Sequence, residues 1–98
     1  LFINDIGTTI RLRLRNNTIS SSDTVRIYYR TPSNVFGYWV GAVDGNNSIV
    51  YRIQSGDITE PGNWQIQGWI SRAYDEWSGY TSIVTLPVQN DLEGSGEI

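Results

Sequence analysis

A period of two that recurs in segment after segment constrains this chain most. Its clearest instance is Pro61–Ile70. After a Pro-Gly turn signal, Trp64, Ile66, Gly68 and Ile70 fall on one side, and Gln65, Gln67 and Trp69 on the other. Such alternation marks a half-buried antiparallel strand. It makes Trp64 the largest core side chain and turns Trp69 away from the core.

The same grammar runs through the rest of the chain. In Thr8–Arg15, Ile10, Leu12 and Leu14 face in, and Arg11, Arg13 and Arg15 face out. In Thr24–Arg30, Val25, Ile27 and Tyr29 face in, and Arg26, Tyr28 and Arg30 face out. Leu1–Asn4 reads as a short first strand with Phe2 in the core, closed by the turn Asp5-Ile6-Gly7. Val35–Val43 is interrupted by Gly37 and Gly41, a sign of a bulge or of a close backbone approach. Asp44-Gly45-Asn46-Asn47 is a hairpin turn signal that pairs 35–43 with 48–53. Ile58 is placed as a plug at the sandwich edge, and Ser71–Gly79 as a polar, aromatic loop. In Tyr80–Gln89, Tyr80, Ser82, Val84, Leu86 and Val88 share one face, with Pro87 at an edge or a bulge.

No stretch has helical periodicity over three turns. About seven short strands, with turn signals at roughly ten-residue spacing, predict an all-β antiparallel sandwich, with a small barrel as the rival. Residues 1–89 form one domain, and 90–98, rich in Gly and acid, reads as a tail or linker. The chain opens on Leu1 rather than Met, which points to a piece of something longer.

Composition narrows the chemistry. The chain has no Cys, His or Met, and all seven basic residues are Arg. The usual general bases, zinc ligands and activated nucleophiles are therefore missing, and no enzyme, metal or cofactor is expected. A net charge of −3 argues against a nucleic-acid partner. No apolar run is long enough to span a membrane, and no signal-peptide pattern opens the chain.

With the strands placed, the chain resembles the immunoglobulin-like domains at the N-terminus of bacteriophage baseplate upper proteins and related virion proteins. The resemblance covers about residues 2–89. It rests on Asp5-Ile6-Gly7-Thr8-Thr9, Ile10-Arg11-Leu12-Arg13-Leu14, Val25-Arg26-Ile27-Tyr28-Tyr29, Ser48-Ile49-Val50-Tyr51-Arg52-Ile53, Pro61-Gly62-Asn63-Trp64 and Ser82-Ile83-Val84-Thr85-Leu86-Pro87-Val88. The chain departs from that family in the loop after the first long strand, which is short and Asn/Ser-rich here. The resemblance implies an immunoglobulin-like sandwich at work in a virion or outside a cell. Its role would be structural or adhesive, as a capsid decoration, head fibre, tail or baseplate component. It would dock on other virion or surface proteins in many copies.

The residues themselves offer several candidate sites. Trp69, Tyr74 and Trp77, with Tyr38 or Trp39, could form an exposed aromatic patch beside Asp75 and Glu76. Rings that stack on a pyranose and carboxylates that accept from its hydroxyls suit a glycan, and a carbohydrate-binding module is the alternative function. Trp and Tyr equally suit a protein interface. Simple packing over the end of the sandwich outweighs both, and a protein interface outweighs sugar. Asp75 and Glu76 could also converge on Ca²⁺ or serve hydrolysis, but neighbours in an extended segment point opposite ways. Asp44, Asn46 and Asn47 are explained by their turn. Asn16-Asn17-Thr18 and Asn46-Asn47-Ser48 match the glycosylation acceptor pattern, which arises readily by chance in Asn/Ser-rich loops. The Arg11–Arg15 stripe, with Arg26 and Arg30, suits cross-strand pairing or an acidic partner, against the plainer reading of a solvated sheet face.

Overall fold

The computed structural model describes residues 1–14, 23–45, 47–72 and 77–89. These residues form two antiparallel sheets packed face to face, a β-sandwich, and no helix occurs among them. The strands are β1 (Thr9–Arg13), β2 (Thr24–Arg30), β3 (Phe36–Val40), β4 (Ala42–Asp44), β5 (Ser48–Arg52), β6 (Gly62–Arg72), β7 (Trp77–Tyr80) and β8 (Val84–Val88). The small sheet has the order β1-β5-β4. The large sheet runs β3-β2-β6, and both β7 and β8 pair with the far side of β6.

The alternation delivers the core it promises. Ile10, Leu12 and Leu14 on the small sheet and Val25, Ile27, Trp64, Ile66 and Ile70 on the large sheet are all buried in one cluster. Ile58 is fully buried as well. Trp64 is 1% exposed, and its indole Nε1 donates to the Glu60 carbonyl at 3.0 Å, so its one polar atom is satisfied. Around it lies an aromatic stack: Tyr29 at 5.5 Å and Trp39 at 6.2 Å between ring centroids, with Trp39 almost parallel to Tyr51 at 5.2 Å.

Four expectations need correction. Phe2 is 44% exposed, while Leu1 and Ile3 pack against the core. The segment pairs in parallel with Gln89 in a register that turns the odd residues inward. Val35–Val43 is not one strand. It divides at Gly41 into β3 of the large sheet and β4 of the small one, so only β4 forms the hairpin with β5. A Cβ at Gly41 would lie 2.8 Å from Ile49 Cγ2 and 3.2 Å from the Val50 carbonyl oxygen, so the chain can cross between sheets there only because that atom is missing. Ser71–Gly79 is not all loop, because β6 runs on to Arg72, where it pairs with Trp77 of β7.

The fourth correction concerns Tyr80–Gln89. Tyr80 pairs with Trp69 and Val84 with Ile66, so three residues, Thr81–Ile83, oppose two, Gln67 and Gly68. That is a β-bulge, and one extra residue reverses the facing of everything beyond it. Thr81 turns in and caps the gap: its Oγ1 accepts from the Gly68 N–H at 2.8 Å, and its own N–H donates to the Gly68 carbonyl at 3.0 Å. Leu86 and Val88 therefore face the core, but Tyr80 stands on the outside, 62% exposed.

Tyr51 carries a pH dependence. Its hydroxyl donates to Asp57 Oδ2 at 2.6 Å. Burial first, and then this hydrogen bond, push the phenol up from 10.0 to about 12. The folded protein thus keeps a proton that the unfolded chain loses near its ordinary pKa. The stabilisation is fully present below about pH 10 and disappears as pH rises through about 12. Denaturant titrations across that window should show wild-type stability falling more steeply than that of Tyr51→Phe. Equal slopes would place the titration elsewhere.

Candidate functional site

The outer face of the large sheet is where the exposed aromatic and cationic groups gather. Register fixes the three rows that carry them. Across the strands, Val40, Arg26, Trp69 and Tyr80 form one row; Tyr38, Tyr28 and Gln67 form the next; Phe36, Arg30, Gln65 and Thr85 form the third. Each row exists because the in-out alternation of β2 and β6 is strict and the β7–β8 bulge turns Tyr80 outward.

Arg26 is the centre of the face. Its guanidinium carbon lies 4.6 Å from the Tyr38 ring centroid and 5.2 Å from that of Trp69, so it sits between two π faces. Its Nη1 donates to the Tyr28 hydroxyl at 3.4 Å, and this contact is the main reason its pKa is raised above an already high value. Tyr28 in turn packs on Tyr38 at 5.7 Å, tilted by 58°, and edge-on to Trp69 at 6.3 Å. In the third row Arg30 Nη2 donates to Gln65 Oε1 at 2.6 Å, beside an open depression of about 210 Å³ lined by Tyr28, Phe36, Gln67 and Ile83. Phe36 and Val40, on the edge strand β3, are 73% and 72% exposed.

The residues singled out from sequence divide accordingly. Trp69 and Tyr38 do meet on this face, bridged by Tyr28 and Arg26. Trp39 does not belong to it. It is 6% exposed and packs in the core on Tyr51 and Tyr29, because odd positions of β3 point inward. Tyr74, Asp75 and Glu76 lie outside the described residues, and for Trp77 only the place in β7 is described. Arg15, Asn16-Asn17-Thr18, Asn46 and the 90–98 segment lie outside them too. Arg26, Tyr28, Phe36, Val40 and Tyr80 are the members that sequence reasoning left out of the aromatic patch. The outward setting of Arg26 and Tyr28 was readable from alternation, but their neighbours across the sheet were not.

The two arginine groups separate. Arg11 and Arg13 lie on the outer face of the small sheet, where Arg11 Nη2 pairs with Asp44 Oδ2 at 2.6 Å. A second groove, of about 510 Å³, opens between β1 and β8; its walls include Ile10, Leu12, Val84 and Leu86. Among the described residues no cluster of acidic side chains is arranged to hold a metal ion. No protein-family model, curated protein or solved structure matches this chain.

Proposed function

We propose that this domain is a non-enzymatic docking module that meets a partner protein through the outer face of its large sheet, as a structural or adhesion part of a phage-like virion. One observation carries the docking reading. The face combines exposed Phe36, Tyr38, Val40 and Tyr80 with Arg26 and Arg30, and Tyr and Arg are residue types that dominate protein interfaces. It is continuous with β3, an edge strand that among the described residues pairs only with β2 and carries no charge or proline to discourage addition of another strand. The virion setting and the immunoglobulin-like character rest on the sequence resemblance. Many copies on a particle would turn weak single contacts into strong attachment.

A glycan is the weaker reading. The Tyr28 ring is tilted 58° from Tyr38 and 72° from Trp69, and Arg26 lies over the Tyr38 and Trp69 rings that a sugar would stack on. The test is a structure of the native assembly that contains this chain. The expected result is a neighbouring protein seated on Tyr38 and Trp69. Incorporation of Tyr38→Ala should fall about 30-fold, a hot-spot effect, with the unfolding midpoint nearly unchanged. A particle in which this face is bare overturns the proposal.

A further inference from the structure

The charge of the outer face is opposite to that of the whole chain. The net charge is −3, yet the described strand positions that point outward from the large sheet include Arg26 and Arg30 and no Asp or Glu. Neither arginine has a carboxylate within salt-bridge distance among the described residues, whereas Arg11 and Arg72 each have one. Among the described residues Arg26 makes one long hydrogen bond, to Tyr28, and Arg30 one short bond, to Gln65. A guanidinium has five N–H donors, so most are unclaimed among the described residues. Stacking between Tyr38 and Trp69 also holds the Arg26 fork in place before any ligand arrives, which lowers the ordering cost of a bidentate carboxylate contact.

We propose that the partner segment is an acidic polypeptide in extended conformation, with two carboxylates that pair with Arg26 and Arg30 and apolar side chains between and beside them. The proposal rests on the docking reading and gives it a ligand chemistry. Arg26 and Arg30 are four residues apart on one strand, roughly 13 Å at the usual rise, which matches two acidic residues four apart on a second extended chain. Exposed Phe36 and Val40 flank the arginines, and covering them requires apolar side chains that a uronic or sialic acid lacks. The edge of β3, unpaired among the described residues, supplies backbone groups for an extended chain to pair with.

The test uses the full 98-residue chain, isotope-labelled for NMR, and synthetic Thr/Val/Tyr peptides carrying two Glu residues four apart. The expected result is amide shift changes confined to β2, β3 and β6. Affinity should drop about tenfold when both peptide Glu residues become Gln and about threefold in Arg26→Gln, which removes one of the two pairs, and Arg26→Gln should cost little more once the peptide carries Gln. Arg26→Lys should recover only part of the loss. Equal affinity for the Glu and Gln peptides with the same amides shifted overturns carboxylate recognition and leaves the docking face standing. Shifts confined to other surfaces overturn both readings. Absence of any shift at millimolar peptide overturns the acidic-segment proposal, and the native assembly then judges the docking face by itself. Tighter binding of oligogalacturonate than of the Glu peptide, lost in Arg26→Gln, overturns the proposal in favour of an acidic glycan.

Discussion

Trp64→Ala is expected to destabilise the domain by about 3–5 kcal/mol, measured as the change in unfolding free energy in urea. The side chain is 1% exposed, donates its indole N–H to Glu60, and has the Tyr29 and Trp39 rings against it. Truncation removes its apolar burial and leaves a cavity that flat, stacked neighbours cannot easily collapse to fill. A domain of this size has only about 5–15 kcal/mol in total, so much of the variant population should be unfolded at modest denaturant. Trp64→Phe should lose less, because it keeps most of the volume and gives up the hydrogen bond. A change under about 1 kcal/mol for Trp64→Ala would mean that the aromatic stack is not what holds the sheets together.

Ile49→Ala is expected to have the next largest effect, about 2–5 kcal/mol. Ile49 is fully buried on β5, the middle strand of the small sheet. Its Cδ1 would be 2.9 Å from a Cβ at Gly68, and its Cγ2 would be 2.8 Å from one at Gly41. One isoleucine thus occupies two notches, one in the central strand of the opposite sheet and one where the chain changes sheets. Gly68→Ala alone should destabilise by overpacking, because the new methyl would also lie 2.9 Å from Thr81 Cγ2. The double variant should be less unstable than the two single losses added together, since truncating the isoleucine at 49 vacates the space that a methyl at 68 needs. Strict additivity in urea unfolding would show that the two positions do not share that space.

These two positions also show how far the amino-acid sequence alone specifies the core. Trp64 follows from alternation alone: the even positions of 64–70 are apolar or glycine, the odd ones polar or amphipathic, and only one face can be dry. Ile10, Leu12, Val25 and Ile27 follow in the same way, and so does the all-β class. The notch that holds Ile49 does not, because a glycine in a strand announces a close approach without naming the neighbour. Local pattern likewise cannot see a single inserted residue. The bulge at Thr81–Ile83 breaks no hydrophobic rhythm in its own segment, yet it moves Tyr80 from the expected core face to the outside.

The candidate site was legible in the same uneven way. Trp69, at an outward position of the Pro61–Ile70 stretch, was correctly set apart from the core by its period. Trp39 and Tyr38, adjacent in a segment whose alternation is blurred by glycine, could not be assigned to opposite faces until β3 was seen to pair with β2. Sequence periodicity determined which side of its own strand each residue takes, because backbone pleating alone sets that. Strand order and register decided which residues from different strands become neighbours. Those depend on long-range pairing, and only that pairing brings Arg26 between Tyr38 and Trp69 and sets Tyr80 beside them.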